Sequence, residues 1–271
     1  MNSNGEKLQR FGGRVTGPPK LLGMLRVRNE ELIIEDTLAH LSAMCDAIVC
    51  YDDASTDRTF ERLAACPKVA AVIRNREWSP NPAVRLRSET DHRASLLHLA
   101  NSYKPDWILC ADADERFTGA IRGFIESPAS DAVDMVRIAL FDAYMTPDDA
   151  KPYRSGPLLD FRRSFGPERR DIIMLWKAKY PDIRFETLDA KNPDYDPSRI
   201  VINRFACQNY GKSISVEQWE ATCDYYANYM PYEWYGKKWS ERRGKAIHLL
   251  SDFGKPLLEW KELLISQSVV L

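Results

Sequence analysis

The residues with the clearest chemical potential are three acids that follow an apolar run, in DWILCADADERF (106–117). Asp112, Asp114 and Glu115 stand directly after the apolar residues. Two carboxylates a few ångströms apart repel by about 1 kcal/mol in water and by several times that near protein. Oxygen ligands of this kind suit Mg²⁺ or Mn²⁺, which can in turn hold a diphosphate. The motif therefore indicates half of a cation site.

Two other interpretations of this motif stay open. A haloacid-dehalogenase phosphatase also places Asp-x-Asp after an apolar strand and would use Asp112 as its nucleophile. That motif usually has Thr or Val two residues after the second Asp, whereas Glu115 and Arg116 follow here. A solvated turn without chemical function is the other alternative.

Two further polar clusters follow apolar runs earlier in the chain. Asp52 and Asp53 begin DDASTD, where an acid can accept hydrogen bonds from a base or a ribose, or simply form an Asx turn. Arg26 and Arg28 belong to RVRNE and suit a phosphate or the face of a base. Together with the acid motif, these clusters predict a pocket for a nucleoside diphosphate.

The elements that must position these clusters alternate between short apolar strands and helices. Strands are predicted at 21–27, 46–51, 69–75 and 106–111, with helices between them. Such alternation favours a parallel sheet with right-handed crossovers. Ligands of these sheets bind at the carboxyl ends of the strands, where all three clusters would meet.

The rest of the chain is less regular. Strands are expected at 135–144, 158–163 and 200–205, and a helical segment is expected past Gly211. The Gly- and Pro-containing start reads as a tail. The predicted domains are an N-terminal tail (1–19), a nucleotide-binding and catalytic domain (20–206) and a C-terminal helical extension (207–271).

The order RNE, DDASTD and then an apolar strand ending in ADADE resembles family 2 glycosyltransferases, over roughly residues 21–117. The resemblance implies an α/β fold of the GT-A type, which is Rossmann-like, with a mostly parallel sheet flanked by helices. It also implies transfer of a sugar, with inversion, from a nucleotide-diphosphate sugar (UDP, GDP or dTDP type) to a hydroxyl acceptor. Mn²⁺ or Mg²⁺ is the implied cofactor. A glycan, polysaccharide or lipid-linked saccharide is the expected acceptor.

The resemblance also assigns roles to residues of this chain. Asp112 would face the ribose or the metal, and Asp114 would be the main metal ligand. The expected nucleotide-binding residues are Arg26, Arg28, Glu30, Asp52, Asp53, Arg87, Arg93 and Asp112. The expected catalytic base follows the metal motif by some distance, which makes Glu186 and Asp189 the candidates.

The sequence departs from the family at one position. Some relatives carry His-x-Gly after the last core strand, where this chain has Asn209 in QNYG, and His248 further on reads more simply as a packed histidine. A nucleotidyltransferase would need a Gly-rich loop after the first strand, which RVRNEE does not supply. A non-catalytic nucleotide-sugar-binding module is a further alternative.

Composition narrows the partners and the compartment. The 38 Lys and Arg residues nearly balance 39 Asp and Glu residues, so no strong field draws the protein to nucleic acid. The six cysteines form no Cys-x-x-Cys pair, which favours reduced, buried thiols. We expect a cytoplasmic protein without a signal peptide. The aromatic and basic segment 230–245 reads as a docking helix or as a peripheral contact with the inner face of a membrane.

Overall fold

The structure is a computed structural model that describes residues 5–188, 191–230 and 232–271. Within these residues the strands are β1 Lys7–Arg10, β2 Leu21–Val27, β3 Ala47–Asp52, β4 Val69–Arg74, β5 Trp107–Asp112, β6 Glu115–Thr118, β7 Met135–Tyr144, β8 Ser164–Phe165, β9 Arg170–Lys177, β10 Val201–Asn209 and β11 Leu258–Glu259. The helices are α1 Ile34–Ser42, α2 Thr59–Ala65, α3 Pro82–Asn101, α4 Ile121–Ile125, α5 Val216–Tyr229, α6 Glu233–Ser240 and α7 Trp260–Ser266, with a 3₁₀ turn at Pro128–Ser130.

The main sheet has the order β1-β4-β3-β2-β5-β9-β7-β10-β6. Its centre, β4-β3-β2-β5, is parallel, whereas β1, β9 and β6 run antiparallel to their neighbours. Every residue of β3 is buried, as expected for a strand covered on both faces. Helices α1 and α2 pack on one face and α3 packs on the other. The predicted α/β fold with a mostly parallel central sheet is confirmed.

The prediction of an N-terminal tail over 1–19 is wrong for β1. Lys7 pairs with Arg74 and Arg10 with Ala71, so β1 covers the outer edge of β4. A strand there satisfies backbone groups that an open edge would leave unpaired. All four of its side chains are exposed, so no apolar pattern marks the strand in the sequence.

The second half differs from the prediction in two places. The expected strand at 158–163 is a loop, in which the buried Arg162 donates to the backbone oxygens of Ser213 and Asp149. The strand of the main sheet in this part of the chain is instead β9, further along the sequence, and it inserts between β5 and β7. The expected domain boundary at 206/207 falls inside β10, so β10 belongs wholly to the sheet.

The C-terminal helices form a small aromatic core of their own. Trp219 of α5 and Trp239 of α6 are buried, and Tyr226 stacks on Trp239 with ring centroids 4.7 Å apart. This packing fits the docking-helix interpretation of 230–245, although Trp234 is exposed. In the part of the chain that the structure describes, no helix is long and apolar enough to cross a membrane. A peripheral membrane contact stays a prediction.

Candidate active site

The acid motif lies where β5 ends and β6 begins. Asp112 is the last residue of β5 and Glu115 the first of β6. The Glu115 carboxylate accepts a hydrogen bond from the Asp112 amide at 2.8 Å, which fixes the turn between the strands. The Asp114 carbonyl accepts from the Tyr210 amide at 2.9 Å, so the end of β10 also holds this turn.

Two cations contact Asp112. Arg93 of α3 lies 3.2 Å from both carboxylate oxygens, and the Lys191 ammonium lies 2.8 Å from one of them. Lys191 also contacts Glu115. Burial alone would raise the pKa of Asp112, but Lys191 and Arg93 hold that pKa well below its usual range. Asp112 is therefore an ionised carboxylate.

The other acids at this position have raised pKa values. Burial and the neighbouring Asp112 raise the pKa of Asp114 to about 6. Burial, opposed by Lys191, raises the pKa of Glu115 to about 7. Burial and Asp114 also raise the pKa of Glu30 well above its ordinary value. These raised pKa values reflect burial and mutual repulsion of the carboxylates, which a bound cation would relieve.

The donor set around Asp112 and Asp114 fits a hard divalent cation, because both side chains offer carboxylate oxygens. The Lys191 ammonium lies beside Asp112, where the positive charge of a bound divalent cation would also lie. A side chain at Gly211 would collide with Asp114, so the glycine leaves that carboxylate room. Among the described residues, no group of three or more His, Cys, Asp or Glu side chains could hold a metal. Ligand oxygens would have to complete the coordination.

Arg26 lies beside the acids at the end of β2. Its guanidinium is 3.4 Å from Glu89 and donates to Nδ1 of His92 at 3.3 Å. Glu89 also pairs with Arg93 at 3.2 Å. Burial and the charge of Arg26 lower the pKa of His92 to about 3, so the ring is neutral and can accept. These contacts link β2, α3 and the acid motif into one polar network.

The loops after β2 and β3 hold each other. Ser55 accepts from the Asn29 amide at 2.9 Å, and Thr59 accepts from the Glu30 amide at 2.8 Å. Asn29 has a positive φ of 52°, and its side chain accepts a hydrogen bond from the Thr56 amide. Ser55 and Thr56 of DDASTD thus hold Asn29, and Thr59 just beyond that motif fixes the position of Glu30 at the cleft.

Asp53 binds protein groups on both of its oxygens. Arg85 donates to one at 2.7 Å and Asn75 to the other at 3.0 Å. Asp52 lies next to it, with Arg74 at 3.1 Å. Asp52 and Asp53 are fully buried and do not line the cleft. Their direct contact with a base stays a prediction that the present geometry does not favour.

Arg87 is not the arginine that α3 directs inward. Its side chain is 63% exposed and faces Asp91 at 3.8 Å, whereas Arg85 is 2% exposed. Arg85 and Arg28 lie over the ring of Trp78, at 5.3 and 4.7 Å from its centroid. Arg85 was missed by the sequence reasoning. The signal was available, because residues 85, 89, 92 and 93 share one helical face.

The acid motif opens into a cleft of about 940 Å³. One half is lined by Arg26, Arg28, Glu30, Arg93, Asp112 and Asp114, which the sequence had predicted. The other half is lined by residues that the sequence reasoning missed, among them Asp142, Lys212, Arg242 and Asp252. Lys212 joins Asp142 at 2.7 Å to Asp252 at 2.6 Å. Another cleft, of about 770 Å³ near the start of α1, contains none of the predicted site residues.

Of the two sequence candidates for the catalytic base, Glu186 does not reach this cleft. Glu186 is 64% exposed, lies 3.5 Å from Arg184 and is not part of the lining. Asp189 lies outside the described residues. His248 packs between the rings of Tyr144 and Trp219, in agreement with the packed histidine expected from its sequence context.

Comparison with curated proteins gives relatives without an assigned function. An uncharacterised protein of Mycobacterium bovis and one of Mycobacterium tuberculosis are each 37% identical to this chain over 95 residues. The match covers 35% of this chain and 23% of each relative, so it spans about a quarter of their length. No family model matches the chain.

Comparison with solved structures gives distant likenesses. Glucosyl-3-phosphoglycerate synthase from Mycobacterium tuberculosis, in complex with Mn²⁺, UDP and glucosyl-3-phosphoglycerate, is 20% identical with a TM-score of 0.31, over 46% of this chain and 44% of that one. A 4-diphosphocytidyl-2C-methyl-D-erythritol synthase is 15% identical with a TM-score of 0.35, over 60% of this chain and 77% of that one. At these TM-scores the function must be argued from the site itself.

Proposed function

We propose that the protein is a glycosyltransferase of the family 2 type, which moves a sugar from a nucleotide-diphosphate sugar to a hydroxyl acceptor. The observation that supports this most is the meeting of two clusters at neighbouring strand ends. Arg26 at the end of β2 and the acids at the end of β5 line the same cleft. A diphosphate carries negative charge and binds metal, so it suits this combination of cations and carboxylates.

Each group has a role in this proposal. Asp112 and Asp114 would hold Mn²⁺ or Mg²⁺, which when bound stabilises negative charge on the departing diphosphate. Arg26 and Arg93 would bind the phosphates or hold the acids in position. Arg28, with Trp78, would bind the nucleoside end. The half of the cleft around Lys212 would then receive the acceptor, a saccharide or a lipid-linked saccharide.

Transfer with inversion also needs a base for the acceptor hydroxyl. Glu186 and Asp189 remain candidates from the sequence, and the structure adds Asp142 and Asp252, which line the cleft. Each of these four candidates is tested by replacing it with the corresponding amide, Gln for Glu and Asn for Asp. The base is the residue whose loss removes transfer while donor binding stays unchanged.

The first experiment is a thermal-shift panel of UDP, GDP, dTDP, CDP and ADP, each with Mn²⁺, with Mg²⁺ and with EDTA. A ligand at 100 times its dissociation constant adds about 2.7 kcal/mol of stability. We expect one nucleotide to stabilise the protein in the presence of metal, and Asp114→Asn to remove that effect. Asp131→Asn is the matched control, since Asp131 is an exposed acid outside the cleft.

The panel also separates the alternatives. Stabilisation by no nucleotide, together with release of phosphate from a simple aryl phosphate, would replace the proposal by the phosphatase. Nucleotide binding without sugar transfer or hydrolysis, whichever acceptor is offered, would leave a non-catalytic binding module. Transfer that is lost in Asp114→Asn and kept in Asp131→Asn is the outcome we expect.

A further inference from the structure

Lys191 provides a positive charge within the acid motif from a distant part of the chain. Its ammonium lies 2.8 Å from Asp112 and also contacts Glu115. The side chain is only 21% exposed and lines the same cleft as Asp112 and Asp114. A cation thus already stands against the carboxylates at which a divalent cation would bind.

The segment that carries Lys191 is attached to the sheet beside it. The side chain of Asn192 accepts a hydrogen bond from the Ile173 amide of β9 at 2.8 Å. Further along, the backbones of Arg184 and Asp194 pair with each other at 2.9 and 2.7 Å. The backbone is therefore held next to the cleft, while the four-carbon stem of Lys191 can change rotamer. The ammonium can leave Asp112 without unfolding of the segment.

The ammonium and a divalent cation exclude each other at Asp112, because like charges repel strongly at such distances near protein. Resting on the cation site of the proposed function, we propose that Lys191 is a tethered competitor of the divalent cation. Its ammonium occupies the Asp112 side of the site in the free protein and must leave when Mn²⁺ or Mg²⁺ binds.

This competition couples the cation to the donor. Once displaced, the Lys191 ammonium stays in the cleft, where the diphosphate of a donor can accept its hydrogen bonds. A nucleoside diphosphate therefore draws Lys191 away from Asp112 and assists cation binding. The free protein binds the cation weakly, and the protein with nucleotide binds it well.

The test measures Mn²⁺ binding directly, by the loss of the electron paramagnetic resonance signal of free Mn²⁺, with and without UDP and the other nucleoside diphosphates. Without nucleotide we expect Lys191→Met to bind Mn²⁺ at least tenfold more tightly than the wild type. Lys179→Met, which removes an exposed lysine outside the cleft, should bind as the wild type does. Lys191→Arg keeps the charge and should not gain affinity.

A second measurement uses the unmodified protein. Acetylation of lysines, followed by mass spectrometry, should label Lys191 faster with saturating Mn²⁺ and no nucleotide than with EDTA, because the ammonium has then left its carboxylates and no diphosphate holds it. Lys179 should be labelled at the same rate in both conditions. An unchanged rate at Lys191 would overturn the proposal even if Lys191→Met did not fold.

The outcomes distinguish this proposal from the proposed function. Equal or weaker Mn²⁺ binding by Lys191→Met overturns the competition and leaves the cation site standing. Absence of Mn²⁺ binding in every variant, with every nucleotide, overturns the cation site itself and the competition with it. Nucleotide should also increase Mn²⁺ affinity more in the wild type than in Lys191→Met, and equal increases contradict the coupling.

Discussion

Replacement of Arg85 by Met should destabilise the protein far more than the same change at Arg87, two residues away on α3. The Arg85 guanidinium is 2.7 Å from Asp53, and the two side chains are 2% and 0% exposed. Removal of one partner from a buried ion pair costs about 3–5 kcal/mol, since the other charge stays behind without its partner. The Arg87–Asp91 pair is exposed, with a separation of 3.8 Å, and such pairs contribute roughly 0–0.5 kcal/mol.

Urea unfolding followed by circular dichroism measures both free energies, provided that the slope with denaturant stays the same among the variants. A double-mutant cycle with Asp53→Asn then isolates the pair, because the double variant removes both charges and should cost less than the sum of the single changes. Equal losses of unfolding free energy in Arg85→Met and Arg87→Met would refute the importance of the buried Arg85–Asp53 pair. Additive costs in the cycle would show that Arg85 acts through packing against Trp78 and not through Asp53.

Two other predictions concern pH and the room around the acid motif. Burial lowers the pKa of His40 to about 4, and its Nε2 accepts from the Phe117 amide at 2.9 Å. Below the unfolded value of about 6.5 the unfolded chain takes up a proton that the folded protein excludes, so the contribution of His40 to stability should be lost as the pH falls from about 6.5 to about 4. In urea titrations, the free energy of unfolding of the wild type should therefore fall relative to that of His40→Gln over this range. Gly211→Ala should weaken Mn²⁺ binding at least tenfold by displacing Asp114, whereas Gly123→Ala, whose added carbon would meet its nearest neighbour at 3.8 Å, should leave binding unchanged in the same titration.

The central sheet was predictable because its signals are local. Four apolar runs of strand length alternate with helical patterns, and the ends of parallel strands must meet at one edge. The prediction that Arg26 lies close to Asp112 followed from this geometry alone, and the two residues are register partners on β2 and β5. The sequence prediction was wrong about which arginine of α3 points inward. Residues 85 and 87 lie about 200° apart on a helix, so only one can point inward.

The remaining parts depend on contacts between distant segments. Lys191 reaches Asp112 across 79 positions of the chain, and nothing in its neighbourhood marks it as part of the site. Strand β1 has no buried side chain, so its pairing with β4 leaves no pattern in the sequence. Asp142 and Asp252 meet through Lys212 only because the folded chain brings β7 and the C-terminal segment together. Such long-range electrostatic and edge pairings become visible only in the folded chain.

Asp114 of the site differs from acids that stabilise the fold in its lack of an ion-pair partner among the described residues, and this difference supports a binding role. Asp36 contacts the fully buried Arg116 at 2.8 Å and accepts from the Leu158 amide, so Asp36→Asn should cost about 1–3 kcal/mol. Asp114 forms no ion pair among the described residues, and the strongest effect of another charge on its pKa is repulsion by Asp112. Asp114→Asn should therefore stabilise the free protein by about 0.5–2 kcal/mol while removing cation-dependent nucleotide binding. Destabilisation of the free protein by Asp114→Asn, measured by urea unfolding beside Asp36→Asn, would show that the motif is a structural turn.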